Sequence, residues 1–471
     1  METPITITAL AFFGSVFAAQ AQGQVNVRSV PPTAAHSTEM PVPDGDGDGI
    51  NDALDSCPCV DYAPGFDLTS CGPLDGNPNN DFDPACKARE RVFSLLMNDP
   101  RFVTRIAFAV IEEGEVHLAD AFAYLGQGQY VHDPGGIHRL HRIGSTSKSV
   151  TATVAKILEE RGVLRFDDLV DAETGGLAIG GPSRRLRDLL AHRGCFTTDF
   201  GALHLYCYAG GLNDFWADPD DAISPRFDSP GYGNPGGGYS YSAFNYSLAG
   251  TYMAQRLHLS YSDAVQAYLF DRAGMCTATL DGARARSTAI GEHWAVSQAN
   301  VMDVGPYINQ LAPLDPRCED NFTSSDDLPG DPYSFQIYHL DEADAEARDP
   351  AGGVMASAVD LAWFARDLLA SYHGTGGALS MSGVRELWWA QTDLGCASAC
   401  PYEPYYGMGF FTDALPGQPV NQVGHGGSRP GYASAFVLRP EANRAVCILA
   451  NADVSTVTLS DLAKAILDDF E

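Results

Sequence analysis

The chain has 471 residues, enough for one catalytic-sized domain and something smaller, and 45% of them are hydrophobic, enough for a packed core. Its formal net charge of −31, with a pI near 4.5, repels nucleic acid and anionic membrane surfaces along most approaches. Nucleic acid is therefore not expected as a partner, which leaves small molecules and peptide-like substrates.

In chain order, Ile5 to Ala19 form an apolar run of signal-peptide length, followed by the small-x-small triplet Ala19-Gln20-Ala21. Residues 1–21 are expected to be a signal peptide, which makes the chain secreted, periplasmic or held at the cell surface. Proline- and threonine-containing residues 22–43 read as a linker. Then comes "DGDGDGINDALDSCPCV". Counting from Asp44, carboxylates fall at positions 1, 3, 5, 9 and 12 (Asp44, Asp46, Asp48, Asp52 and Asp55), with Gly49 at 6 and the Ile50 carbonyl at 7. That spacing wraps oxygens around calcium, and so many carboxylates held together repel one another without a cation. With the following Cys57-Pro58 the stretch resembles a thrombospondin type-3 calcium repeat, and residues 44–86 are expected to be a calcium-binding, cysteine-containing segment.

The eleven cysteines suit an oxidising compartment in which close pairs such as Cys57/Cys59, Cys195/Cys207 and Cys396/Cys400 are candidates for bridging. Cys447, inside the apolar run "RAVCILAN", is expected to be a buried, unpaired thiol.

Residues 87–471 read as one mixed domain. "KARERVFSLLM" has helical spacing, with Val92, Leu95 and Leu96 on one side. "FVTRIAFAVIEEGEVHLADAFAYL" predicts two strands joined at Gly114, and "ASAFVLRPEANRAVCILANAD" a second hairpin before the amphipathic helix "LSDLAKAILDDF". Between them lie helical patterns such as "AVDLAWFARDLLASY" and long loops rich in glycine, proline and aspartate. This order predicts an α+β fold: an antiparallel sheet flanked by N- and C-terminal helices, with a helical subdomain inserted. No segment beyond the signal region approaches the length of a membrane span.

The chemistry starts at "IGSTSKSV". The chain has only four lysines, and one of them, Lys148, stands three residues after Ser145. On a helix start the two share a face, with Val150, Val154, Ile157 and Leu158 as the apolar stripe behind them. A serine hydroxyl is a poor nucleophile until a base removes its proton, and an adjacent amine can do so. Downstream, "YSYSAFNYSLAG" offers Tyr241, and "GHGGSRPGY" places His425, Gly427 and Ser428 before a strand.

Serine, lysine, tyrosine, then a basic residue followed by glycine resembles the serine β-lactamase and penicillin-binding-protein superfamily. The blocks "HRIGSTSKSVTATVAKILEERGVLRFDDLV", "LRDLLAHRG", "GGGYSYSAFNYSLAG", "DPAGGVMASAVDLAWFARDLL" and "GHGGSRPGYASAF" follow in the order of its class C β-lactamase-like branch, across roughly Phe93 to Phe470. The resemblance implies an α/β/α sandwich of the β-lactamase/transpeptidase type. It implies Ser145 as acylated nucleophile, Lys148 as its base, Tyr241 as proton carrier and His425 lining the cleft. The N–H groups of Ser145 and Ser428 would form the oxyanion hole, Gly427 would let substrate approach, and catalysis would need no cofactor.

Two positions depart from that pattern. Ala243 stands where a substrate-binding asparagine is common, with Asn245 nearby but aligned differently, and His425 stands where many relatives carry lysine. A lysine there would be charged and hold a substrate carboxylate, whereas histidine is mostly neutral at pH 7. The expected function is thus an exported serine hydrolase acting on an ester or amide, of the esterase or D-amino-acid peptidase type. The alternatives are a β-lactamase or D,D-carboxypeptidase acting on cell-wall-like amides and, in another class, a non-catalytic surface binding protein. Trp216 and Phe227, in long loops, are candidates for apolar contact with an acyl group. "GYGNPG" follows no predicted strand and reads as a loop, no Gly-x-Ser-x-Gly elbow occurs, and His138 and His141 are expected on opposite faces of a strand, unsuited to one metal.

Overall fold

The computed structural model describes residues 71, 77–79, 83–98, 105–126, 129–170, 184–196, 236–280, 349–395, 402–429, 432–452 and 454–471, with the backbone of 322–325 and 337–340. The expected signal peptide, linker and calcium ligands, and Trp216 and Phe227, lie outside the described residues.

In chain order the elements are α1 (Pro84–Asn98), β1 (Arg105–Glu112), β2 (Glu115–Gly126), β3 (Gln129–His132), β4 (His141–Arg142), α2 (Ser147–Glu160), α3 (Leu186–Leu190), α4 (Ala243–Leu257), β5 (Phe322–Ser325), β6 (Ile337–Leu340), α5 (Asp349–Gly352), β7 (Met355–Ala356), α6 (Ala358–His373), α7 (Met381–Trp388), β8 (Thr392–Asp393), β9 (Tyr405–Tyr406), β10 (Phe411–Thr412), β11 (Val423–Arg429), β12 (Tyr432–Arg439), β13 (Arg444–Ala450) and α8 (Thr456–Asp469). Among the described residues nine strands form one antiparallel sheet in the order β3-β2-β1-β13-β12-β11-β10-β9-β8, while β4/β7 and β5/β6 pair separately.

The sheet is apolar on both faces, which explains the unbroken hydrophobic runs of its central strands. Ile106, Phe108 and Val110 of β1 join Val446 and Ile448 of β13 against α1 and α8. The alternate residues, Ala107, Ala109, Ile111, Cys447 and Leu449, enter the larger core that also holds residues of α2, α4, α6 and α7. Helices thus cover both faces of the sheet, the expected α/β/α sandwich. The β1–β2 turn places Glu113 and Gly114 at φ 52° and 80°, the left-handed values a two-residue hairpin turn demands. Helix α6 starts on a capping box, the Ser357 hydroxyl accepting from Asp360 N, and stops at Gly374 with φ 68°.

Cys71 and Cys86 form a disulfide that ties the N-terminal segment to buried residues of α1. That pair is not among those expected, and each expected pair has a member outside the described residues. Cys447 is a buried thiol whose pKa is pushed far up by burial. His138 lies in a short 3-10 turn, Pro134–His138, rather than in a strand. Among the described residues no helix is long and apolar enough to cross a membrane, and no group of three metal-ligating side chains occurs.

One half-buried carboxyl gives a stability prediction. Asp367 of α6 accepts from Ala378 N (3.0 Å), and burial pushes its pKa up to about 6. A folded pKa above the unfolded value means that stability present at low pH is lost as pH rises through 6, nominally by about 2–3 kcal/mol. Asp367→Asn keeps the acceptor without the charge. It is expected to raise the midpoint of thermal unfolding at pH 7.5, by roughly 1–3 kcal/mol in stability, with the gain shrinking toward pH 4. Melts at both pH values check this, and an equal shift at both would refute the ionisation argument.

Candidate active site

Two strand segments and the start of a helix converge at Ser145. It sits in a single 3-10 turn, Gly144–Thr146, that runs directly into α2. Gly144 has φ 52°, and a Cβ there would lie 2.7 Å from Ser428 N and Ser428 O; a Cβ on Gly427 would lie 1.8 Å from the Ile143 carbonyl oxygen. Only glycine at both positions lets β11 approach the Ser145 turn this closely. Strand β10 pairs with β11 only at Val423 and Gly424. From His425 onward, therefore, the outer edge of β11 is not taken up by β10, and it lies beside the Ser145 turn.

The turn is held from two sides. From β12, the buried Ser434 hydroxyl donates to the Ile143 carbonyl (2.8 Å) and therefore accepts from the Thr146 hydroxyl (2.9 Å). From the α5–β7 segment, Val354 O accepts from Ile143 N (3.1 Å), and Val354 N donates to the Ser147 hydroxyl (3.1 Å). Ile143 on one side of Ser145, and Thr146 and Ser147 on the other, are thereby fixed to separate parts of the fold, which preorganises the hydroxyl.

Lys148, one turn into the helix, is only 1% exposed. Its Nζ donates to Ser145 Oγ (2.9 Å) and to the Ala351 carbonyl (2.8 Å), and it lies 4.8 Å from the centroid of the Tyr241 ring and 5.7 Å from that of Tyr246. Tyr241 is half-buried and stands just before the α4 N-cap, Ser242, whose hydroxyl accepts from Phe244 N. The structure thus brings Ser145, Lys148 and Tyr241 around one point. Ser428, on the neighbouring strand edge, is exposed.

His425 joins them from β11, its ring 6.3 Å from that of Tyr241. Its Nδ1 lies 2.6 Å from Gly426 O, which can only accept, so Nδ1 carries the proton; the lone pair of Nε2 then takes the Tyr406 hydroxyl at 3.2 Å. Burial first, and the Lys148 ammonium second, push the His425 pKa down to about 3. It is a neutral imidazole with both nitrogens engaged, not a cation facing substrate.

Four groups that the sequence did not single out complete the site: Ser434, Tyr406, Tyr246 and His192. His192 follows α3, is fully buried, and packs against Tyr241, Tyr246 and Tyr406 with ring centroids 4.2, 5.1 and 5.0 Å away. The only sequence signal for it is its place in the block "LRDLLAHRG"; Tyr406, in "PYYGMGF", carries none. Asn245 is buried and directs its amide to His192 Nδ1 (3.3 Å) and to the carbonyls of Ser240 and Ser242. Ala243 is likewise buried.

The family model described as Beta-lactamase matches residues 101–469. Among solved structures, the octameric penicillin-binding protein homologue from Pyrococcus abyssi superposes with a TM-score of 0.57 at 17% identity, covering 81% of this chain and 76% of that one. A D-alanine carboxypeptidase from Burkholderia cenocepacia gives 0.55 at 18% identity, covering 81% and 97%. A D-stereospecific amidohydrolase from a Streptomyces species gives 0.50 at 18%, covering 76% and 93%. At these identities the structural likeness establishes the shared fold. No curated protein matches the chain.

Proposed function

The chain belongs to the beta-lactamase family and is a serine hydrolase, and on that premise we propose that it is exported and hydrolyses a neutral ester or amide through an acyl-enzyme on Ser145. The observation that carries the proposal is the buried amine of Lys148, 2.9 Å from Ser145 Oγ with the Tyr241 ring beside it. In its neutral form the amine takes the Ser145 proton while Oγ bonds to the substrate carbonyl carbon. The oxyanion is met by the backbone N–H groups of Ser145 and Ser428, which the two glycines hold close together. Tyr241 delivers a proton to the departing alcohol or amine as its bond to the carbonyl carbon breaks. Deacylation reverses the traffic: water loses a proton to the Tyr241 oxygen, its own oxygen bonds to the acyl carbon, and Ser145 Oγ recovers its proton from Lys148 as it leaves. A binding platform would have no use for this buried amine.

His425 supports a substrate of the esterase or D-amino-acid peptidase type. A neutral imidazole committed to Gly426 O and Tyr406 offers no charge to a substrate carboxylate, and Ala243 offers no carboxamide to an acylamino group. The Cys71–Cys86 disulfide supports export to an oxidising compartment.

Intact-mass spectrometry after fluorophosphonate treatment is expected to show one adduct, on Ser145, absent from Ser145→Ala, and to report whether residues 1–21 have been removed. Turnover of p-nitrophenyl esters is expected to exceed that of nitrocefin and D,D-peptides by at least about a hundredfold. Fast nitrocefin hydrolysis with negligible esterase activity would replace this substrate assignment by a β-lactamase one, and no adduct on Ser145 would remove the acyl-enzyme itself.

A further inference from the structure

His192 is built into the site more tightly than packing alone requires. Its φ of 54° is a left-handed value that a residue with a Cβ adopts at a cost of about 1 kcal/mol. That conformation turns both its carbonyl and its side chain toward one short segment, residues 240–242. The His192 carbonyl accepts from Ser240 N (2.8 Å), and its Nδ1 accepts from Ser242 N (3.2 Å). Between those two anchors stands Tyr241, whose ring lies 4.2 Å from the imidazole at a tilt of 37°. Asn245 Nδ2 is a second donor to Nδ1, so the lone pair is fixed there and the proton is fixed on Nε2, which meets no hydrogen-bond partner among the described residues.

We infer that His192 is the positioning residue for Tyr241: it grips the backbone on both sides of the tyrosine and supports the phenol ring, so that the hydroxyl stays in reach of Lys148 and the leaving group. The assignment rests on the proposed role of Tyr241 as proton carrier. Tyr241 is half-buried in the stretch before α4, and Lys148 Nζ lies 4.8 Å from its ring centroid. Without the imidazole the ring would lose this support and Ser242 N would lose its acceptor, leaving only the backbone anchor at Ser240. Displacement of a reacting group by about 1 Å costs on the order of a hundredfold in rate. Burial, with the charge of Lys148 next, holds the His192 pKa well below its ordinary value, so the imidazole stays neutral and its Nδ1 stays an acceptor.

The test is a cycle of variants assayed with a p-nitrophenyl ester. His192→Phe keeps a ring but removes the acceptor; His192→Asn loses the ring, keeps an acceptor near the Nδ1 position, and tolerates the left-handed backbone. The expected result is a kcat about a hundredfold lower for His192→Phe and about tenfold lower for His192→Asn, with KM within threefold in both. In a Tyr241→Phe background, His192→Asn is expected to cost less than a further threefold, because it acts through the same hydroxyl. If His192→Phe does not fold, the Asn variant and Asn245→Ala, which removes one donor to Nδ1, carry the test. Unchanged kcat in His192→Asn, or losses that multiply in full with Tyr241→Phe, would overturn the inference. Unchanged kcat in Tyr241→Phe alone would instead overturn the proton-carrier role on which it stands.

Discussion

Replacing Lys148 by methionine is expected to lower kcat for an ester by about a thousand- to a hundred-thousand-fold while leaving the protein folded. The side chain is 1% exposed, and its amine contacts the nucleophile directly, 2.9 Å from Ser145 Oγ. Methionine fills a similar volume. It leaves the Ala351 carbonyl without its lysine donor, a loss of about 1–2 kcal/mol, but also removes the burden of burying an amine. Lys148→Arg separates two roles that the amine could play. A guanidinium keeps positive charge but does not accept a proton at any working pH, so an arginine enzyme would stay active if Lys148 served only to attract the oxyanion. We expect Lys148→Arg to be as impaired as Lys148→Met, and Ser145→Ala to add nothing to either, since nucleophile and base act as one unit. Single-turnover acylation rates, with circular dichroism to verify folding, decide the matter. An arginine variant within tenfold of the parent would remove Lys148 as the base.

How much of this was legible in the sequence depends on whether a feature is local. The β1–β2 hairpin, the β12–β13 hairpin, α6 and α8 were visible because apolar periodicity and turn residues act over a few neighbours. Helix α1 begins at Pro84, three residues before the expected stretch, because the Asp83 side chain caps it by accepting from Ala85 N. Strands β8, β9 and β10 have two residues each, too few to show any period, so the far edge of the sheet could not be read. The same division runs through the site. The offset between Ser145 and Lys148 is local, whereas Ser434 reaches the Ser145 turn only because β12 pairs Ser434 with Gly427, which has no side chain to intervene. His192 is illegible for a further reason: its role depends on a left-handed backbone, and nothing about a histidine before Arg193 announces one.

Acid is expected to destabilise the fold well above the pH at which most carboxylates titrate. Among the described residues three histidines are fully buried and neutral: His141, pushed down to about 4 by burial, His425, pushed down to about 3, and His192, pushed well below its ordinary value. In each case the unfolded chain takes up a proton near pH 6.5 and the folded chain does not. The stability they contribute is therefore complete above 6.5 and is lost as pH falls toward the folded values. At pH 4.5 the loss is about 2–3 kcal/mol each for His141 and His425, with His192 acting in the same direction, a large share of the whole stability of an ordinary domain. Asp367 opposes them, gaining stability as it protonates below 6, and Asp188, also raised by burial, acts in the same direction. Relief of the −31 net charge near the pI helps as well. Three imidazoles outweigh these, and between pH 7.5 and 4.5 the unfolding midpoint is expected to fall by about 10 °C. His141 isolates the cause, because its Nδ1 donates to Arg139 O, a bond that the amide of an asparagine can replace, and it lies outside the proposed machinery. His141→Asn should keep its activity at pH 7.5 and lose less stability at pH 4.5 than the parent, by about 2 kcal/mol. A parent midpoint that stays level down to pH 4.5, or an identical decline in the variant, would show that the buried imidazoles do not set the acid limit.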